Sequence, residues 1–311
     1  MRLAWRELVR KPGRFLTAGV ILTLISLLLM FLGGLLDGLL RAQTGAVRAQ
    51  DADLIVFSEA AQASFLRSRI DPDLRAEVEA VPGVAETGGI GLVQLGARVP
   101  DRDPRDLAGV ALFGYEIAPD GVPDEVPPLG RAYADDILEA DGVEEGMTIL
   151  VGPARSPVEI VGFVSDTAYN AQGSLWASPE TWRQVAEANR PGERLAEGVF
   201  QSLVVRADGD ADIDAVAADI DGATDGATET LTVSGAVEAI PGVTEQRDTF
   251  NQIIGVTIVI ALVVVALFFA LLTVERTALY GVLKAIGARS RTLFGGLVLQ
   301  GTAVAAGAAV V

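Results

Sequence analysis

Site chemistry needs a nucleophile, a proton carrier or a ligand set, and two common suppliers are missing: the chain has no Cys and no His. This excludes a thiolate nucleophile, a His base, a disulfide framework and any His or Cys metal site. Carboxylates are abundant, 41 Asp and Glu against 24 Lys and Arg. The pairs Asp135/Asp136 and Glu144/Glu145 are of a type that does acid–base work. They adjoin turns, do not stand apart from the acidic background, and are expected to be solvated. No G-x-S-x-G, S-x-x-K, G-x-x-x-x-G-K-[ST] or G-x-G-x-x-G motif occurs in a proper context. One constellation remains, ERTALYGVLKAIGARSRTLFGG from Glu275 to Gly296. Leu279, Val282, Leu283 and Ile286 recur at helical spacing and can form one apolar stripe. Gly287 is placed to end that helix in a left-handed cap. Gly281 and Ala285, four apart, permit close packing. Arg289 and Arg291 suit a helix C-terminus and an anionic inner leaflet. The pattern permits close packing against a surface, and its cations equally suit the ordinary role of fixing topology beside a span.

The elements that position this segment are apolar. Phe15 to Leu36 is 22 residues without a charge, and at ~1.5 Å per residue it spans the roughly 30 Å of bilayer hydrocarbon. Thr249 to Val274 is uncharged over 26 residues, and Thr292 to Val311 over 20. The last is rich in Gly and Ala, as suits a helix packed against other helices. The first lacks the A-x-A cleavage pattern of a signal peptide and is read as a retained anchor. Arg2, Arg6, Arg10, Lys11 and Arg14 precede the first span; Arg276, Lys284, Arg289 and Arg291 separate the second from the third. Both cationic segments are therefore expected in the cytoplasm and residues 41–250 outside, in a multi-pass protein of the cell membrane. Trp5 and Leu8, beside the N-terminal cations, suit an interfacial amphipathic helix over residues 1–14.

Residues 41–250 carry 15 Arg, no Lys and 38 Asp and Glu, a net −23. An acidic domain of this kind is no nucleic-acid binder. It reads as mixed α+β. Strands are expected over ADLIVFS, GVAETGGIGLVQLGARV (one or two, with glycine breaks), DLAGVALFGYE, SPVEIVGFVSD and VFQSLVVRAD. Helices are expected over EAAQASFLRSRI, PDLRAEVEAV, SPETWRQVAEAN (capped by Ser178) and ADIDAVAADIDG. DDILEADGVEEGMTILVG reads as helix, turn, strand. Two lobes are expected, a larger one of 41–130 and 199–248 and a smaller one of 131–198. VEAVPGVAE (78–86) and VEAIPGVTE (237–245) predict two related halves, each a helix end, a Pro-Gly turn and a strand start.

The segment after the second span resembles the cytoplasmic loop of FtsX/MacB-like ABC transporter permeases. The matching positions are Glu275, Arg276, Tyr280, Gly281, Lys284, Ala285, Gly287 and Ala288. LAWRELVRKPGRFLTAGVILTLISLLL resembles that family's start, and GMTILVGPARSPVEIVGFVSD and VEAVPGV resemble its outer core domain. The resemblance implies an α-helical transmembrane protein with a span at 15–40, an extracytoplasmic domain at 41–250, a span at 251–274, a coupling hairpin at 275–291 and a span at 292–311. The family has four spans, so a fourth is expected beyond this sequence or from elsewhere. The resemblance further implies a permease subunit without its own ATPase. The hairpin, with Leu283 on its apolar stripe, would dock on a separate ATP-binding subunit. No cofactor is expected on this chain, ATP being bound by the partner. Expected partners are that subunit, a second permease copy or paralogue, membrane lipid and an extracytoplasmic protein. Two other functions fit: a non-transporting relay to an outer partner such as a cell-wall hydrolase, and a membrane-anchored binding domain.

Overall fold

The computed structural model describes residues 12–103, 105–192 and 195–275, together with Thr277, Val282 and Ala285. Its elements begin with a long helix α1 (Pro12–Arg48), strand β1 (Leu54–Ser58), helix α2 (Pro72–Glu79), and strands β2 (Val84–Arg98) and β3 (Ala108–Tyr115). There follow β4 (Arg131–Asp135), a 3-10 helix (Asp136–Asp141), β5 (Thr148–Val151), β6 (Ser156–Val164) and β7 (Gly173–Ala177). Helix α3 (Pro179–Asn189), β8 (Ser202–Ala207), α4 (Ile213–Ala223), β9 (Thr228–Thr232), α5 (Val233–Ala239) and α6 (Val243–Glu275) complete the chain. Gly38–Glu245 forms one compact unit, and the helical segments outside it form another.

Each domain helix starts where a side chain satisfies an otherwise unpaired amide. Asp71 accepts from Leu74 N–H at 2.9 Å, with Pro72 in the first turn. Ser178 accepts from Thr181 N–H with Pro179 following, as expected. Asp212 and Thr232 do the same for α4 and α5.

Strand β2 organises the sheets. Its first half pairs antiparallel with β8, which pairs with β1, which pairs with β9. Its second half pairs with β3 over Ile90–Ala97 and, at Ala97 and Arg98, with β5. From β3 the pairing runs through β7, β4 and β6 to β5. A ring of six strands is thus closed, and closure leaves no free edge within it. Alternation along β2 separates two cores. Val93 and Ala97 join Val110, Leu112, Leu175 and Ile160 in one, while Ile90 and Leu92 face another with Phe113, Tyr115 and Trp176. Gly91 lies directly opposite Gly114, and the Trp182 indole rests on both. A Cβ would come within 2.1 Å of that ring at Gly91 and 2.6 Å of the side chain at Gly114. These glycines are the floor on which α3 packs, so they do not break the strand; β2 is one strand of 15 residues. In β1, Leu54 and Val56 pack under α2 and α4 while Ile55 and Phe57 face the aromatic core, so both faces are buried.

Two expectations fail. EAAQASFLRSRI gives only a 3-10 turn, Glu59–Ala61. Gln62 and Ala63 take left-handed backbone, and the Ala63 amide donates to the Glu229 carboxylate, so tertiary bonds replace the helical ones. The repeated VEA-x-PGV turn is real at both sites, with Gly83 at φ 93° and Gly242 at φ 88°. Its second copy leads into α6 rather than a strand: Val243 begins a helix that runs on to Glu275.

Both outer apolar runs are helical and long enough to cross a membrane. Leu24, Met30, Phe31, Val256, Leu262 and Leu267 are each at least 60 % exposed, a surface that water does not tolerate and lipid does. The helices outrun the expected spans: α1 continues to Arg48 and α6 already begins at Val243. Residues 1–11 and 292–311 lie outside the described residues.

Candidate functional site at the helix roots

Of the residues expected in the hairpin, Glu275 closes α6, and Ala285 is helical and exposed. Arg276, Tyr280, Gly281, Leu283, Lys284, Gly287 and Ala288 lie outside the described residues.

The two carboxylate pairs differ in their surroundings. Glu144 and Glu145 are exposed, as expected. Asp135 is not solvated: it is 2 % exposed, and its carboxylate accepts from Ile137 N–H, Thr167 N–H and the Thr167 hydroxyl, the last two at 2.7 Å. The Thr167 and Ser174 hydroxyls share a further bond of 2.7 Å. A buried carboxylate with three fixed donors ties β4 to the β6–β7 connection. Asp136 is pushed upward from the usual carboxylate range by burial first, then by Asp135, Glu139 and Asp166. Among the described residues, no three acidic side chains gather as metal ligands.

The two long helices enter the domain at a common core. Ala46 and Val47 of α1, Ala236 and Val237 of α5, Ile240, and Val243 at the start of α6 all belong to one buried core. The two helix roots therefore lie in one hydrophobic cluster. Beneath them runs a chain of rings: Phe57, Phe65, Tyr169, Phe113, Trp176 and Tyr115, with successive centroids 4.6–6.2 Å apart, mostly edge to face. Burial pushes the Tyr169 hydroxyl up to about 12 and raises Tyr115 as well, with Tyr133 and Asp124 adding to the latter. Both phenols stay protonated at neutral pH and act as packing groups.

A loop from the ring grips the α1 root. Between β6 and β7, residues 165–172 fold back on themselves, with Tyr169 and Gln172 exchanging backbone hydrogen bonds of 2.9 Å. The loop tip donates from Asn170 N–H to Gln43 O at 3.1 Å and from Ala171 N–H to Ala42 O at 2.9 Å. In return, Ala46 N–H donates to Ala168 O at 3.0 Å. Gly45 lets the two backbones approach: a Cβ there would be 2.6 Å from Asp166 O and 2.9 Å from Ala168 N. Arg48 adds an ion pair to Asp166 at 2.8 Å and reaches the Thr44 hydroxyl at 3.1 Å. The sequence gives little sign of this grip. The available signals are the apolar pair Ala46–Val47 continuing the helical pattern past the span, and the turn-rich SDTAYNAQG.

No family model matches the chain. Similar solved structures include the periplasmic region of MacB from Actinobacillus actinomycetemcomitans, at 10% identity and a TM-score of 0.42, covering 63% of this chain and 95% of that one. Another is the extracellular domain of the ABC-type transporter YknZ from Gram-positive bacteria, at 11% identity and a TM-score of 0.38, covering 58% of this chain and 100% of that one.

Proposed function

We propose that this chain is a permease subunit of an ABC transporter, which carries the motion of a separate ATP-binding subunit into an extracytoplasmic domain for export or extraction of substrate. The observation that carries the reading is the pair of long apolar helices whose roots share one buried core. Close packing resists deformation, so a shift of Val243 at the α6 root must be taken up by Val237, Ile240, Phe57 and the α1 root. The hairpin 275–291 is the receiving end. Glu275, Arg276, Tyr280, Gly281, Leu283, Lys284, Ala285, Gly287 and Ala288 supply its docking surface on the ATP-binding subunit, and a second permease copy or paralogue completes the unit. The domain offers rigid packing rather than a reactive group.

The uncharged runs Phe15–Leu36 and Thr249–Val274 favour one variant of this reading. They provide no polar path across the membrane, so the same motion could serve a relay to an outer partner such as a cell-wall hydrolase. Co-purification with the ATP-binding subunit tests the reading. The wild-type chain is expected to retain that subunit, and Leu283→Asp and Gly287→Pro to lose it. Equal retention by all three makes the hairpin a mere turn, and no retention by any favours a membrane-anchored binding domain.

A further inference from the structure

The loop that grips α1 is built from conformations that cost free energy. Asp166, Asn170 and Ala171 have φ of 59°, 52° and 57°, in the left-handed region that non-glycine residues rarely occupy. Asn170 and Ala171 are the two central residues of a two-residue hairpin, whose favoured turn requires positive φ at both. Glycine is the usual second residue of such a turn; here it is Ala171. Asp166, Asn170 and Ala171 are exposed, whereas Thr167, Ala168 and Tyr169 are buried and Thr167 is bonded to Asp135, so the loop has a fixed base and an exposed tip at Asn170 and Ala171.

What holds the tip is the helix, and the helix does not need the tip. Ala46 N–H and Ala42 O are four residues apart, the donor and acceptor that pair within a regular helix. In this structure Ala46 N–H reaches Ala168 O, and Ala42 O accepts from Ala171 N–H. If the tip withdraws, Ala42 O has the Ala46 N–H within its own helix, Ala168 O keeps its contact with Ala46 N–H, and the exposed amides of Asn170 and Ala171 meet water. Neither arrangement leaves a buried backbone group unpaired, which is the condition for two states of similar free energy. Tyr169 remains the fixed end, its ring edge to face with Phe113 at 5.6 Å.

We infer that the loop tip, Asn170 and Ala171, is a releasable catch: closed, it ties the Ala42–Gln43 turn of α1 to the strand ring, and open, it frees that turn while Ala46 and Val47 stay seated in the core. What displaces α1 in the membrane rests on the proposed function above; the catch itself does not. The experiment accordingly omits the ATP-binding subunit.

Hydrogen exchange is measured on the full chain in lipid nanodiscs, at the amides of Asn170 and Ala171 and, as an internal reference, at Leu92–Leu95 of β2. In the wild type the two loop amides are expected to be protected, yet to exchange at least about a hundredfold faster than the β2 amides, because the catch opens without unfolding the ring. Gly45→Ala places a methyl group against Asp166 O while improving the helix itself. It is expected to speed exchange at Asn170 and Ala171 about tenfold or more and to leave β2 unchanged. Ala171→Gly relieves the left-handed backbone and is expected to slow loop exchange by about threefold or more. Loop amides as slow as β2 in the wild type would overturn the catch, since the loop would then open only with the whole domain. Loop exchange unaffected by both variants would overturn it as well. If Gly45→Ala instead unprotects β2 along with the loop, the contact is a structural joint rather than a catch.

Discussion

The strand ring and the α1 root are both held by backbone hydrogen bonds, but on opposite terms. In the ring, six strands close on themselves, and the Gly91–Gly114 floor admits the Trp182 indole with no room for a methyl group. At the root, three backbone bonds and one half-exposed ion pair join a helix to a loop with strained backbone. One is a packed body with no alternative pairing. The other is a junction whose helix groups have partners within their own helix. The exposed tip at Asn170 and Ala171 is therefore expected to open before the ring does.

The largest test of this contrast is Trp182→Ala, which leaves a cavity over Gly91 and Gly114. It should cost about 3–5 kcal/mol in chemical unfolding followed by circular dichroism. A cost below about 1 kcal/mol would mean that the ring is not packed around that indole. A second test is alkaline pH. The Tyr169 hydroxyl, ordinarily near 10, is raised to about 12 by burial. The folded state thus holds its proton more tightly than the unfolded one. Stability is complete below pH 10 and falls as pH rises from 10 towards 12, by on the order of 2 kcal/mol. Tyr169→Phe should flatten that part of the pH–stability curve.

Smaller effects separate the two regions further. Thr167→Val removes the hydroxyl that donates to Asp135 but keeps the backbone donor, and should cost about 1–2 kcal/mol in the same unfolding assay. Arg48→Gln at the root breaks an ion pair whose side chains are 38% and 45% exposed, and should cost less than about 1 kcal/mol, with the difference fading at high salt. If Arg48→Gln proves costlier than Thr167→Val, the root is no softer than the ring.

Much of the domain was legible in sequence because local rules and burial agree there. Leu54–Phe57, Ala108–Tyr115 and Ser202–Ala207 are β-rich runs between turn signals, and Ser178–Pro179 announces α3 by its cap. Arg131–Asp135 and Thr228–Thr232 were not read as strands, being short runs that carry charged or polar residues among few apolar ones. Their pairing comes from distant partners, β6 and β7 for one and β1 for the other. The helical spacing of Glu59–Ile70 misled for a related reason, since Glu229 lies 166 residues beyond the amide it captures. The segment 275–291 was visible as a motif because its residues are contiguous, though most of it lies outside the described residues. The helix roots were not, because Gly45 and Ala168 acquire meaning only when the ring brings residues 165–172 against α1.

The most direct measurement is hydrogen exchange at Asn170 and Ala171 in the complex with the ATP-binding subunit, compared between the nucleotide-free state and one trapped with a nonhydrolysable ATP analogue. Motion carried from hairpin to domain predicts that loop exchange changes by about tenfold or more between the two states while the β2 amides hold steady. Identical loop exchange in both states, with the subunit demonstrably bound, would contradict the account: nucleotide binding would then leave the α1 root untouched.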